Sequence, residues 1–268
     1  MVDGPSTFDA PRHERSDAAD LARALIADQF FLVYQPTIDL RTNAFAGVEA
    51  LIRWRHPERG VIGPDEFLAD LESTGQIVSV GRWALMTACH QGAEWHARGY
   101  RFRVSVNISA EQLRRDEFVD DVAIALSSSR LDPDFLVLEF SRAALSDDHL
   151  SHLRSLGVHV AIDDFRPDAT SLDELQDLPV DVIKFDRRFI ADVTNSTEAA
   201  TLVHSVVALA RERNIQIIAS GIEDAEQRRR LQIEEVSAGQ GFLFSAPREA
   251  TEIDQLLRDF SIFSGRPL

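Results

Sequence analysis

Cysteine is nearly missing from this chain: Cys89 stands alone among 268 residues, so no internal disulfide can form and a reducing compartment is expected. Basic residues are scarce. Lys and Arg number 28 against 44 Asp and Glu, a formal net charge of −16, and no basic tract interrupts that acidic background. The resulting field repels polyanions and anionic lipid surfaces, which argues against a nucleic-acid polymer or a membrane as partner. A small anionic ligand stays open, because a metal ion or a local Arg or Lys outweighs the mean field at short range. No uninterrupted apolar run reaches the roughly 18 residues of a membrane span. Met1–Ala19 carries Asp3, Asp9, Arg12, Glu14, Arg15 and Asp17 and has no apolar leader core. The expectation is a soluble cytoplasmic protein.

Several familiar signatures are absent as well. The eight histidines form no HExxH pair, and His149 with His152 falls on a helix expected at the surface, which argues against zinc. There is no P-loop, no GxGxxG and no GxSxG, so the usual nucleoside-triphosphate, dinucleotide and serine-hydrolase sites are excluded. No internal repeat stands out. Cys89 shares a helix with Trp83, Leu85 and Met86 and reads as core. Arg228–Arg230, flanked by Glu223, Asp224, Glu226, Glu234 and Glu235, reads as a solvated, charge-laced helix.

What is present is an alternation of short apolar runs with longer amphipathic stretches, the pattern of βα units around a parallel sheet. Eight runs qualify: Phe30–Pro36, Ala44–Trp54, Phe102–Ser109, Phe135–Ser141, His159–Phe165, Asp181–Asp186, Ile215–Glu223 and Gly239–Ser245. Helices are predicted near Asp17–Asp28, Ser79–Arg98, Ala110–Ser127, Ser146–Leu156, Ser196–Arg213, Asp224–Glu235 and Thr251–Phe260, with Ser146, Ser196 and Thr251 as N-caps. Eight strands with intervening helices in a chain of this length predict an α/β fold, a (β/α)8 or TIM barrel. The link Thr37–Asn43 is too short for a helical crossover, so the first two strands should pair antiparallel. Residues 1–16 are expected to form a disordered arm, 17–263 the barrel and 264–268 a frayed tail.

Polar residues gather at the ends of these runs: Glu49, Asn107, Glu139, the pair Asp163–Asp164, Lys184, Glu223 and Gln240. A carboxylate within an apolar run must be paired or neutralised, since burying it alone costs several kcal/mol. In a barrel the strand ends converge on one face, where Glu49, Asn107, Glu139 and Asp163 would place four oxygen donors about one point. Such a set suits Mg²⁺, Mn²⁺ or Ca²⁺ rather than a thiol- or imidazole-seeking metal. Arg53 could clamp a phosphate. Lys184 needs an acidic neighbour, which Asp186 or the metal-binding carboxylates would supply.

The string Val48-Glu49-Ala50-Leu51-Ile52-Arg53-Trp54 resembles the signature of the bacterial EAL domains, phosphodiesterases acting on cyclic di-GMP. Tyr34-Gln35-Pro36 precedes it. Val106-Asn107-Ile108-Ser109, Leu138-Glu139-Phe140, Ile162-Asp163-Asp164-Phe165, the segment from Leu178 to Asp186, and Gln240-Gly241-Phe242-Leu243-Phe244 follow in order. The resemblance runs from about Leu21 to Phe260. It implies a modified TIM barrel with an antiparallel first strand, and two divalent metals, Mg²⁺ or Mn²⁺ with Ca²⁺ as a non-catalytic substitute, that activate water to open one phosphodiester and give linear pGpG. Carried over by motif, Glu49, Asn107, Glu139 and Asp163 would hold the first metal. Gln35, Glu49, Leu51, Arg53, Asp163, Lys184, Glu223 and Gln240 would line the ligand cleft, with Lys184, Asp164 and Glu223 as catalytic groups.

The chain departs from the family around the second metal. Where the family has Ala-Glu-Gly-Val-Glu, this chain reads Ala219-Ser220-Gly221-Ile222-Glu223, so a hydroxyl replaces a ligand carboxylate. The loop after the Asp-Asp pair has Arg166-Pro167-Asp168 in place of Gly-Thr-Gly, Arg142 replaces a glutamate that supports that loop, and the helix between Glu139 and Asp163 is about six residues shorter than usual. The leading expectation is a degenerate member that binds cyclic di-GMP with weak or no hydrolysis. Two alternatives are carried beside it: an active phosphodiesterase in which Asp164, Glu223 or Asp168 substitutes as ligand, and a nucleotide-independent module that binds a protein partner. The short chain is expected to be a stand-alone member, and the family's habit of dimerising makes a homodimer the oligomeric alternative.

Overall fold

Strand formation follows the β-branched and aromatic runs. In the computed structural model, which describes residues 18–144, 149–168, 179–194 and 196–264, nine strands form. They are β1 (Phe30–Asp39), β2 (Phe45–His56), β3 (Gly60–Ile62), β4 (Arg103–Ile108), β5 (Leu136–Ser141), β6 (His159–Phe165), β7 (Val182–Phe185), β8 (Gln216–Ala219) and β9 (Ala238–Gln240). Their order is β1-β9-β8-β7-β6-β5-β4-β2, and a β1–β2 pairing closes the ring while β3 hangs on the outer edge of β2. β1 runs antiparallel to both its neighbours and the remaining barrel pairs are parallel. The fold is therefore the modified α/β barrel expected from the sequence.

The antiparallel start has a local cause. At the β1–β2 turn the Asp39 carboxylate accepts bonds from the amides of Arg41 and Thr42 and from the Thr42 hydroxyl, and Asn43 takes a positive φ of 60°. An Asx-type turn of this kind reverses the chain within five residues and leaves no room for a crossover helix.

Ten α-helices are described: α1 (Ala18–Ile26), α2 (Leu68–Ser73), α3 (Ile77–Ala97), α4 (Ala110–Leu113), α5 (Phe118–Ser129), α6 (His149–Ser155), α7 (Arg187–Asp192), α8 (Thr197–Glu212), α9 (Ala225–Ile233) and α10 (Ala250–Ser264). Ser196 caps α8 by accepting from Ala199 N, as expected, and Asp224 closes a capping box with Gln227 on α9.

Several sequence expectations need correction. Ala110–Ser127 is two helices, because Ser109 and Gln112 form a capping box that serves only a single turn. Thr251 lies inside the first turn of α10 and not at its cap. The strand expected at Gly239–Ser245 stops at Gln240, since Phe244 N and Ser245 N turn back onto the Gly241 carbonyl. The 3-residue β3 and the short helices α2 and α7 were not anticipated. Ser146, the arm 1–16 and the tail beyond Ser264 lie outside the described residues. Cys89 is fully buried, as core. Among the described residues no helix is long and apolar enough to cross a membrane.

The barrel interior is layered. Val137, Ala161, Val182, Ile218 and Ala238 form a separate apolar cluster contributed by β5 to β9. Two residues further along each strand come Glu139, Asp163, Lys184, Ser220 and Gln240. Because side chains alternate along a strand, these stand directly above the apolar floor, at the carboxyl ends of the parallel strands. Below it, Arg103 of β4 reaches across to Gln216 of β8 at 3.3 Å and to His159 at 2.9 Å. The far mouth is thereby bridged by polar groups.

Candidate functional site

Period-two alternation on β2 directs Glu49, Leu51 and Arg53 to one face, and Glu49 reaches the centre of the barrel mouth. Its Oε1 accepts from Asn107 Nδ2 at 2.6 Å, and its Oε2 accepts from Lys184 Nζ at 2.9 Å and from Gln240 Nε2 at 2.8 Å. Gln240 also donates to Gln35 Oε1 at 2.8 Å, and Gln35 donates to the Ser245 carbonyl at 3.1 Å. Three amides and the Lys184 ammonium thus fix the Glu49 carboxylate from β1, β4, β7 and β9 at once.

Lys184 is the only lysine in the sequence. It is 2 % exposed, and its ammonium lies 2.5 Å from Glu139, 2.9 Å from Glu49 and 3.4 Å from Asp163. Of the two alternatives expected from the sequence, the carboxylates of the candidate metal set serve Lys184 and Asp186 does not; Asp186 caps α7 by accepting from the amides of Arg188 and Phe189. Burial pulls the lysine pKa down, but Glu139, Glu49 and Asp163 outweigh it and hold the ammonium well above its ordinary value. Glu139 is pushed up to about 8, by burial first and then by the charge of Glu49. Glu49 itself is held low: burial opposes its ionisation, while Lys184 and the bonds from Gln240 and Asn107 favour it. Removing charges from water costs several kcal/mol per ion, so the cluster is tolerable only because each member has partners.

Ligand oxygens of Glu49, Glu139 and Asp163 lie within 4.8 Å of one another, the one such acidic group among the described residues. Among the described residues the Asn107 side-chain oxygen has no hydrogen-bond partner, while its amide nitrogen is engaged by Glu49. All-oxygen donors at this spacing fit a hard divalent cation. Asp164 and Glu223 are not part of this group.

Asp164 takes a positive φ of 51° at an irregularity between Ile162 and Phe165 of β6. The bulge turns two successive acids toward the mouth, where strict alternation would hide one. Burial, then the charges of Asp163 and Asp186, raise the Asp164 pKa.

The cleft above the barrel has two lobes that share Glu49, Leu51, Asp163 and Asp164 as their common wall. The larger, about 610 Å³, adds Asn107 and Glu139 and is otherwise mainly apolar, with Ile52, Pro64, Leu68 and Val80. The smaller, about 240 Å³, is polar and is bounded by Gln35, Lys184, Ser220, Glu223 and Gln240, with Arg187 and Phe242. Sequence reasoning missed Arg187, Phe242 and the apolar wall. Arg187 was hidden in the charged run Asp186-Arg187-Arg188, which reads as surface.

Other expected residues fall outside these walls. Arg53 donates to the carbonyl of Ile52 at 2.7 Å and lines neither lobe among the described residues. Burial lowers its pKa, against the pull of Glu49 and Asp65. Asp168 is exposed and also absent from both walls. Arg166 approaches Asp186 at 3.9 Å, and Arg142 opens a single 3-10 turn after β5. Among the described residues Ser220 Oγ and Gln240 Oε1, on two residues that line the polar lobe, are buried atoms without a hydrogen-bond partner. Such orphaned groups call for a donor or acceptor from outside the chain.

Comparison with known proteins places this geometry in context. A family model described as "EAL domain" matches residues 18–247. The chain is 36% identical over 256 residues to the cyclic di-GMP phosphodiesterase NbdA of Pseudomonas aeruginosa, covering 93% of this chain and 33% of that protein. It thus spans about a third of that relative's length. Among solved structures, one titled "PaMucR Phosphodiesterase, c-di-GMP complex" superposes with a TM-score of 0.81 at 37% identity, covering 88% of this chain and 98% of the other. The EAL domain of FimX from Pseudomonas aeruginosa, bound to c-di-GMP, superposes with a TM-score of 0.76 at 26% identity, over 86% of this chain and 95% of that domain.

Proposed function

The chain belongs to the EAL domain family, and from that premise we propose that it binds cyclic di-GMP across the two-lobed cleft and hydrolyses it slowly or not at all. The observation that carries this reading is Ser220: its neutral hydroxyl, buried and unpartnered, stands in the polar lobe beside Asp163, Asp164 and Glu223. Binding is supported by the solved relative titled as a c-di-GMP complex, which is 37% identical.

Glu49, Asn107, Glu139 and Asp163 would hold one divalent cation, Mg²⁺ or Mn²⁺ in use and Ca²⁺ as a non-catalytic substitute. Bound there, it would supply the charge that activates a water and offsets the negative charge on the phosphoryl oxygens. Gln35 and Gln240 keep Glu49 oriented, and Lys184 holds its own proton while fixing the rotamers of Glu49, Glu139 and Asp163. Leu51 forms the apolar ridge between the lobes, with Arg53 farther along the same strand face.

The residues beside Ser220 do not make a second cation site of the same quality. Asp164 and Glu223 line the lobe, but neither joins the acidic group of Glu49, Glu139 and Asp163, and a hydroxyl is a weaker donor than a carboxylate for a dication. Loss of one such electrostatic group costs on the order of 10² to 10³ in rate.

Calorimetric titration with cyclic di-GMP in Ca²⁺, and chromatography for pGpG after incubation with Mn²⁺, test the two halves separately. Saturable binding with little pGpG is expected, and Ser220→Glu should raise turnover. Rapid pGpG formation by the unmodified protein, abolished by Glu49→Ala, would overturn the low-turnover half; absence of saturable heat would overturn the binding half.

A further inference from the structure

We propose that Arg187 is a phosphate-binding residue, whose guanidinium neutralises a phosphate of the bound nucleotide in the lobe where Ser220 stands. This rests on the reading that the cleft takes cyclic di-GMP, and it adds a ligand contact that the sequence motifs did not assign.

The argument begins with the available cations. The polar lobe has two cationic wall residues, Lys184 and Arg187. Lys184 is buried and consumed by three carboxylates. Arg187 is exposed and, among the described residues, has neither hydrogen bond nor ion pair. Its neighbours are occupied differently. Arg188 Nε lies 3.6 Å from Asp186 Oδ1 and Arg166 Nε lies 3.9 Å from the same oxygen. Of the three arginines grouped around Asp186, only Arg187 lines the lobe.

The base of Arg187 is held by construction. It is the first residue of α7, whose start is tied down by the Asp186 side chain through Arg188 N and Phe189 N. Against it packs Gly221, at a φ of 75°, so closely that a Cβ there would overlap the Cβ of Arg187. The glycine lets the β8 turn seat against the arginine stem and sets Ser220 next to it in the chain.

Electrostatics then decides the occupant. Glu49, Asp163, Asp164 and Glu223 line the same lobe, so a phosphate entering it meets repulsion unless a cation faces it. A guanidinium presents paired donors that match phosphate oxygens, and it stays charged at any working pH. With serine at position 220 no carboxylate from that position competes for it. A glutamate there would be positioned to pair with Arg187 and withdraw it.

The test uses the full chain in EDTA, with cyclic di-GMP titrated by calorimetry. Arg187→Ala should weaken binding at least tenfold, Arg187→Lys should weaken it clearly less, because the charge is kept and only the paired donors are lost, and Ser220→Glu should weaken binding in EDTA. Combining Arg187→Ala with Ser220→Glu should cost no more than Arg187→Ala alone. Thermal melts of each variant check that the fold persists. If the unmodified protein binds and the folded Arg187→Ala variant binds within twofold of it, the assignment of Arg187 fails while the nucleotide reading stands. If Arg187→Lys falls as far as Arg187→Ala, charge is not what the side chain contributes and the assignment fails as well. If the unmodified protein binds in no buffer, both fall together.

Discussion

Lys184 Nζ sits 2.5 Å from Glu139 Oε2, and both side chains are sealed from solvent at the top of the barrel. The same ammonium touches Glu49 and Asp163, the other two members of the acidic group suited to a cation. The lysine and a dication held there would therefore serve one set of carboxylates.

Lys184→Met should destabilise the metal-free protein by about 3–5 kcal/mol, because it strands buried carboxylates without a counter-charge. Excess Ca²⁺ should restore far more stability to the variant than it adds to the unmodified protein. Thermal melts with and without Ca²⁺ read the difference. Equal shifts in both proteins would show that the ammonium and the cation do not share partners.

Glu139 gives the pH dependence. Its folded-state pKa is raised from 4.5 to about 8, by burial first and the Glu49 charge next. The folded chain thus holds a proton there that the unfolded chain has released. The stabilisation is complete below pH 4.5, declines as pH climbs and is gone above about 8. Denaturant unfolding in EDTA across that window should show the decline, and Glu139→Gln should remove this component. Ca²⁺ affinity should rise with pH over the same range, since the cation needs the ionised carboxylate.

Asp164 tests the bulge on β6. At φ 51°, a β-branched residue is strained. Asp164→Val should cost about 1–2 kcal/mol or more, whereas Asp164→Asn should keep the midpoint close to that of the unmodified protein. Comparable losses in both variants would mean that charge, not backbone shape, governs the position.

Gly221 and Gly60 separate crowding from conformation. Both have positive φ, 75° and 74°, but a Cβ at Gly60 meets open space while one at Gly221 meets Arg187. Gly60→Ala should cost about 1 kcal/mol, and Gly221→Ala clearly more, about 1–3 kcal/mol beyond it from overpacking. Unfolding midpoints of the two variants make the comparison.

Much of the barrel is legible in the sequence because its strands are long apolar runs cut short by a polar residue at a constant place. Glu49, Asn107, Glu139, Asp163 and Lys184 could be assigned to one mouth on that basis alone, together with the motifs around them. The parts that escaped are those in which local signal is weak. α7 has only six residues, too few for a helical period to emerge, so the sequence leaves Asp186 as one of two alternatives for Lys184, although its carboxylate is spent on the helix start. The break at Arg114–Glu117 carries neither Gly nor Pro, so Ala110–Ser127 looks continuous. The final strand looks longer in the sequence than it is because Phe242, Leu243 and Phe244 are apolar, although the chain turns back at Gly241 and leaves Phe242 at the cleft. Arg187 illustrates the general limit: nothing in a run of charges tells which one faces inward.

The apolar disc of Val137, Ala161, Val182, Ile218 and Ala238 makes the barrel a pedestal with interchangeable fittings. Glu139, Asp163, Lys184, Ser220 and Gln240 are each mounted one pleat above this hydrocarbon base. A side chain at one socket can therefore be exchanged without disturbing the masonry beneath.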